Sequence, residues 1–123
     1  MTPYCYHWMF NSCSSLSTAP TLPATLLAEG CYMNMFMECF SLTAAPYLPA
    51  TGLANYCYKQ MFYNCTHLSS INVSFTDWSG ATNATQNWVG GLPGLPASGT
   101  FYKPTALSTA YGASYIPTNW TVI

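Results

Sequence analysis

The sequence predicts an α/β solenoid, in which about three coils of 26 residues, each a helix followed by a short strand, stack along one axis. The pattern Cys-Tyr-x-x-Met-Phe-x-x-Cys occurs three times at a constant spacing, beginning at Cys5, Cys31 and Cys57. Repeats of about 20 to 50 residues are typical of stacks in which each unit buries its apolar face only against its neighbours. Apolar residues also make up 50% of the chain, enough for one continuous core.

The first half of each repeat is predicted to be a helix. At about 100° per residue, the repeated positions 5, 6, 9, 10 and 13 fall within one arc of about 140°. The positions that change between repeats fall on the opposite arc. A strand would alternate sides at every residue and would mix the two sets. We therefore expect the repeated Cys, Tyr, Met and Phe side chains to lie in the core.

A short strand is expected after the second Cys of each repeat, around Leu16, Leu42 and Leu68. Proline removes a donor from a strand ladder, so the first two strands should end near Pro20 and Pro46. The edge of the first repeat is expected to be open, which leaves Cys5, Met9, Phe10 and Leu16 beside solvent.

The repeat array is predicted to span residues 1–78, in units 1–26, 27–52 and 53–78. Residues 79–123 are rich in Gly, Ser, Thr, Asn and Pro and are predicted to be a C-terminal capping region of the same domain, since a stack needs atypical ends. Within the cap we expect a short helix over 81–89, a turn over 90–94, and strands within 99–103 and 119–123.

The combination of Met-Phe-x-x-Cys, a Leu three residues later and Leu-Pro-Ala-Thr at 22–25 and 48–51 resembles the BspA-like leucine-rich repeat proteins of gut Bacteroidetes and their phages. The segments 99–103 and 116–122 are similar to the C-terminal ends of that group. The resemblance implies a short, curved leucine-rich-repeat stack with a parallel sheet on one face. It also implies display outside the cell, on a cell surface or on a virion, and a use in binding. It implies no catalytic residue.

Charge and hydropathy exclude two classes of partner. The chain has two basic and three acidic residues and a net charge of −1, whereas nucleic-acid binding depends on clustered Lys and Arg. Nucleic acid is therefore not expected as a partner. No apolar run approaches the ~18 residues of a membrane-spanning helix, and the first residues lack the basic region of an export signal. We expect no membrane insertion.

Metal binding, cofactor binding and catalysis are not expected. The cysteines lack the short spacing of a zinc site and are predicted to be free, buried thiols. His7 and His67 occupy different positions of the repeat, so they form no pair, and both are predicted to lie on the surface. The acidic residues Glu29, Glu38 and Asp77 are scattered along the chain. We therefore predict that the protein is not an enzyme and needs no cofactor.

The variable helix positions are the predicted binding face, because aromatic and Met side chains on a surface are enriched at interfaces. One hypothesis is a recognition or adhesion module that binds a protein or a glycan through this face or through the strand face around Thr18, Ala44 and Ser70. The alternative is a structural protein that associates with itself into an oligomer or a fibre, for example in a phage or cell-surface appendage. The predicted binding face consists of His7, Trp8, Met33, Asn34, Met37, Lys59, Gln60 and Tyr63.

Overall fold

The computed structural model describes residues 1–90 and 98–123. Its regular elements are three short strands: β1 (Ser70–Asn72), β2 (Thr100–Tyr102) and β3 (Thr121–Val122). They form one parallel sheet in the order β1-β2-β3, with Ile71 opposite Phe101 and Phe101 opposite Val122. The described ranges contain no helix. The predicted α/β solenoid of helix-strand coils, and with it the leucine-rich-repeat architecture, is therefore wrong.

Stacked turns take the place of the predicted helices. In the first repeat, backbone N–H groups at odd positions donate to the carbonyl three residues earlier, as Met9 does to Tyr6 at 3.3 Å. N–H groups at even positions donate to the next repeat, as Phe10 does to Met35 at 2.9 Å. An α-helix would instead use carbonyls four residues earlier throughout. We call residues 4–13, 30–39, 56–65 and 83–90 the turn ribbon, and units 1–26, 27–52 and 53–78 coils 1, 2 and 3.

Left-handed backbone at every fourth residue produces these turns. Within the turn ribbon, φ lies between 47° and 64° at a regular series of positions, and a residue of that conformation interrupts a right-handed helix. Glycine and asparagine tolerate it best, and Gly30, Asn34, Asn64, Asn83 and Asn87 occupy such places. The full series is 4, 8, 12, 30, 34, 38, 56, 60, 64, 83 and 87.

The helix prediction failed because periods of 3.6 and 4 residues bury the same side chains over so short a segment. At about 90° per residue, positions 5, 6, 9, 10 and 13 occupy an arc of about 90°, which is narrower than their arc on a helix. Two adjacent residues in every four therefore point inward. The repeated side chains are accordingly buried in coil 2, although their backbone is not helical; they are Cys31, Tyr32, Met35, Phe36 and Cys39.

Aromatic ladders run through the core along the stack. Tyr32 lies over Tyr58 with ring centroids 6.1 Å apart and 4° between the planes. Phe36 lies over Phe62 at 5.8 Å, also at 4°. Stacked pairs of this kind add about 0.5 to 1.5 kcal/mol beyond the area they bury. Trp88 ends both ladders, at 6.2 Å from Tyr58 and 6.1 Å from Phe62.

The region predicted as a cap begins with a further coil, which contains the turn-ribbon segment 83–90 and which we call the fourth coil. The helix predicted over 81–89 is wrong, since Asn83 and Asn87 are left-handed and Asn64 N–H donates to the Gly90 carbonyl at 2.9 Å, as in the coils before it. The strands predicted within 99–103 and 119–123 are present as β2 and β3. Of the turn predicted over 90–94, residues 91–94 lie outside the described residues.

The strands predicted for the first two repeats are largely missing. Coil 1, which is described throughout, contains no strand, and coil 2 contributes only single bridges, Ala44 to Ser70 and Leu48 to Val73. Proline at 20, 23, 46 and 49 limits ladder pairing in both coils. The sheet is therefore confined to the C-terminal half of the stack, and the turn ribbon connects coil 1 to the rest.

Candidate functional site

The predicted binding face is less exposed than the sequence suggests. Trp8 is the exposed member, at 46% of its full accessible surface, whereas Asn34 is buried at 3%. The remaining residues are half-buried; they are His7, Met33, Met37, Lys59, Gln60 and Tyr63. The structure therefore offers these side chains to a partner only in part.

Hydrogen bonds between coils bring members of this face together. Asn34 Nδ2 donates to Gln60 Oε1 at 3.1 Å and lies 3.2 Å from Met37 Sδ. Trp8 N–H donates to the Met33 carbonyl at 3.2 Å. The amide of Asn34 thus serves to join coil 2 to coil 3, which corrects its assignment as a surface binding residue.

The histidine and the lysine of the face have their own internal contacts. The His7 ring packs edge-on to Trp8, with centroids 5.3 Å apart, and its burial lowers the pKa of the imidazole. Lys59 Nζ lies 5.5 Å from the ring centroid of Tyr56, within the range of a cation–π contact. Each of these two side chains therefore contacts an aromatic ring of its own coil.

A second surface is apolar and open: the side of coil 1 that faces away from coil 2. We call Cys5, Tyr6, Met9, Phe10 and Cys13, with the backbone carbonyls between them, the coil-1 edge. Met9 is 53% exposed, while Met35 and Met61, at the same repeat position, are 1% and 0% exposed. The expected exposure is therefore present at Cys5 and Met9, whereas Phe10 and Leu16 are half-buried.

The coil-1 edge borders a cavity of about 200 Å³. Its lining includes Tyr6, Met9, Phe10 and Leu22 of coil 1 and Tyr32 of coil 2. All of these side chains are mainly apolar. The cavity thus gives an incoming apolar side chain a preformed place to bind.

A row of backbone carbonyls, which the sequence did not reveal, completes this edge. In coil 2 the carbonyls of Cys31, Met33, Met35 and Met37 each accept an N–H from coil 1. Their counterparts in coil 1 have no such donor within the described part of the chain; they are the carbonyls of Cys5, His7, Met9 and Asn11. The edge therefore combines apolar side chains with a regular series of free acceptors.

Another concavity, of about 270 Å³, lies beside the fourth coil. The Trp78 and Tyr115 rings stand in it at 87° to each other, with centroids 5.4 Å apart. Thr85 Oγ1 donates to the Ser114 carbonyl at 2.8 Å and links its two sides. Its remaining lining includes the neutral amides of Asn83 and Gln86. This concavity is polar and uncharged.

The chemistry of the cysteines follows from their coil. Cys31, Cys39, Cys57 and Cys65 are buried, but Cys5 and Cys13 are exposed, which corrects the prediction that all six thiols are buried. All six are free. Cys65 Sγ donates to the Phe36 carbonyl at 3.0 Å, and Cys39 Sγ donates to that of Phe10 at 3.1 Å. In coils 2 and 3 the thiol of the second Cys thus bonds to the coil before it.

We expect two of the six thiols to react with iodoacetamide in the folded protein at about pH 8, and all six after unfolding. Burial raises the pKa of Cys57 and of Cys65 to about 12, so these two thiols form almost no reactive thiolate at that pH. Mass spectrometry of the alkylated peptides identifies the sites. Rapid native labelling at Cys57 or Cys65 would contradict the packing described for coil 3.

Neither a metal centre nor a membrane span is found in the part of the chain that the structure describes. Within residues 1–90 and 98–123, no three His, Cys, Asp or Glu side chains gather as a metal ion would require. The same residues include no helix with the length and hydropathy to cross a bilayer.

The chain was compared with family models, curated proteins and solved structures, and none of them matches it. The resemblance to the BspA-like proteins therefore stays a prediction.

Proposed function

We propose that this chain is a non-enzymatic protein-binding module and that the coil-1 edge is its binding surface. One observation supports the proposal above all: the Cys, Tyr and Met side chains of the repeated motif are buried in coils 2 and 3 and exposed in coil 1, where the Phe is half-buried. The sequence thus places core side chains on a surface. Such a surface is favourable to cover, because fully burying a Met or Phe side chain contributes about 1.5 to 3 kcal/mol.

Apolar exposure is concentrated in this part of the molecule. Of the twelve large apolar side chains that are exposed within residues 1–90 and 98–123, five lie in the first nine residues; they are Met1, Tyr4, Tyr6, Trp8 and Met9. Contiguous apolar patches mark sites of protein contact. With only 4% charged residues, the chain has little electrostatic repulsion to oppose association. A protein partner suits this edge better than a glycan, which would call for more polar side chains.

The proposal contains no catalytic step, for reasons of chemistry. His67 Nδ1 lies 2.7 Å from the Phe40 carbonyl, so the imidazole is engaged with backbone. The thiols of coils 2 and 3 are buried, and a nucleophilic Cys must be accessible and activated. Display on a cell surface or virion remains what the resemblance predicts.

Selection of binding peptides tests the coil-1 edge directly. Peptides selected from a random library on the wild-type protein are expected to bind a Met9→Ser variant about tenfold more weakly, because the variant loses apolar contact at the edge. A Tyr111→Ser variant is the matched control, since Tyr111 is 52% exposed and lies outside the edge. Fluorescence anisotropy measures each affinity.

The same selection has two outcomes that contradict the proposal. One is a set of peptides that bind the wild-type protein and the Met9→Ser variant equally well. The other is a selection that yields no binding peptide at all. Circular dichroism and urea unfolding of both variants establish that the fold is intact before affinities are compared.

A further inference from the structure

We propose that the occupant of the coil-1 edge is a further coil of the same turn repeat, presented with its row of backbone N–H groups toward the edge. This inference rests on the proposed function and names the partner of that surface. It is carried by the direction of the hydrogen bonds between coils, by the stacking of the rings and by the cysteine thiols.

All backbone-to-backbone hydrogen bonds of the turn ribbon between coils run in one direction. Five join each pair of successive coils, at 2.7 to 3.2 Å, and in each the N–H belongs to the earlier coil and the carbonyl to the later one. Among its backbone groups, coil 1 therefore presents only acceptors on its open side. Two coil-1 edges placed face to face would set carbonyl against carbonyl, so a head-to-head pair of this chain is excluded. The occupant must supply N–H donors.

The spacing of the acceptors distinguishes a turn coil from a β-strand. A strand presents the N–H and the C=O of the same residue on each edge, so half of its groups would oppose the carbonyl row. In the turn ribbon, the even residues turn only their N–H groups to the next coil. Tyr6 N–H, for example, donates to Cys31, while its carbonyl accepts Met9 N–H within the same coil. A turn coil alone brings donors at two-residue intervals without opposing carbonyls.

The side chains of the edge fit the same occupant. Tyr6 stacks on Tyr32 at 5.6 Å and Phe10 stacks on Phe36 at 5.5 Å, so each ring has its coil-2 side occupied. Tyr32 is stacked on both sides, since Tyr58 lies 6.1 Å away on the other. A Tyr and a Phe of an added coil would extend both ladders outward by one step.

The thiol of Cys13 provides a further match. Cys39 and Cys65 each donate to the Phe carbonyl of the coil before them. Cys13 occupies the same repeat position and is exposed. An added coil would bring its own Phe carbonyl to this thiol. The Cys13 thiol is thus a side-chain donor on the edge, at the position where the Phe carbonyl of an added coil would accept it.

A synthetic coil tests the inference on the full chain. The probe is a fluorescent peptide of residues 27–52 with Cys31→Ala and Cys39→Ala, which remove competing thiols. We expect it to bind and to slow alkylation of Cys5 and Cys13. N-methylation of the peptide at Tyr32 and Phe36, two of its donors to the next coil, is expected to weaken binding about tenfold or more. N-methylation at Ser41 and Tyr47, outside the donor row, is the matched control.

Three results would overturn the inference: no binding of the unmodified peptide, unchanged alkylation of Cys5 and Cys13, or equal weakening by both pairs of N-methyl groups. These failures are distinct from failure of the proposed function. If library peptides depend on Met9 while the coil peptide does not bind, the edge is a protein-binding surface for another kind of partner. If the library peptides are indifferent to Met9→Ser, the proposed function itself is wrong.

Discussion

Replacing Met61 by Ala is expected to destabilise the protein by about 2 to 5 kcal/mol, the range for truncating a buried Met. Met61 is fully buried in coil 3, between coil 2 and the fourth coil, so neighbours on both sides would border the resulting cavity. The packing is constrained because Phe36 N–H donates to the Met61 carbonyl at 2.9 Å. Urea unfolding monitored by tryptophan fluorescence measures the change.

The repeat supplies its own control for this substitution. Met9 occupies the same position in coil 1 and is 53% exposed, so Met9→Ala is expected to change the free energy of unfolding by no more than about 0.5 kcal/mol. The difference between the two variants isolates burial, because the residue type and the local turn are the same. Equal losses from both variants would mean that the coil-1 edge is buried in solution.

Replacing Gly99 by Ala is expected to destabilise the protein by about 1 to 3 kcal/mol, as overpacking of a tight site does. A Cβ at this position would lie 2.5 Å from the Ser69 carbonyl oxygen and 2.6 Å from the Trp120 ring. Neither neighbour is free to move. The Ser69 carbonyl accepts Thr100 N–H at 2.9 Å, and Trp120 is buried. Gly99 thus permits the close approach of β1 and β3 to the start of β2.

Gly52→Ala is the matched control for that variant, since nothing lies within 4 Å of a Cβ at this position. We expect it to be neutral or to stabilise the protein by about 0.4 to 1 kcal/mol, through the lower entropy of its unfolded chain. Thermal unfolding followed by circular dichroism compares the two. A Gly99→Ala protein as stable as the Gly52→Ala protein would contradict the packing at the start of β2.

The sequence was sufficient to predict which side chains of the repeat are inside, but not how its backbone folds. Side-chain direction over nine residues is nearly the same for a helix and for a series of turns of four residues. The distinguishing signal was present in the residues that tolerate left-handed backbone: Gly30, Asn34 and Asn64 stand at multiples of four within their coils. Glu38 and Gln60 share that conformation and weaken the signal, because neither residue favours it.

The sequence pattern did not reveal the fourth coil, because both the residue types of the motif and the 26-residue spacing change there. The Trp88 carbonyl accepts Phe62 N–H, just as the Met61 carbonyl accepts Phe36 N–H. Trp88 therefore occupies the Met position, one residue later than the constant spacing predicts. The fourth coil thus buries a large apolar side chain at this position, as coils 2 and 3 do, but with a different residue type. A search for the repeated motif alone therefore stops at Cys65.

The exposed side chains of the candidate site could be predicted from the sequence, but its free backbone carbonyls could not. Exposure of Met9 follows from the repeat, since a core residue in the first unit has neighbours on one side. The free carbonyls could not be predicted, because the direction of each peptide group depends on whether the backbone is a helix or a series of turns. The positions that vary between repeats are not all on the surface. Asn34 is one of them, yet its side chain is buried and donates to Gln60 of coil 3.

The single direction of the backbone hydrogen bonds between coils in the turn ribbon also has an electrostatic consequence. Peptide dipoles that align along one axis add, as they do in an α-helix, and leave partial charge on the unpaired groups at each end. In the turn ribbon, the N–H groups that join one coil to the next point toward the C-terminal end, and the carbonyls that accept them point toward coil 1. Coil 1 is thus the negative pole of a chain that carries almost no formal charge, and cationic groups are favoured beside it.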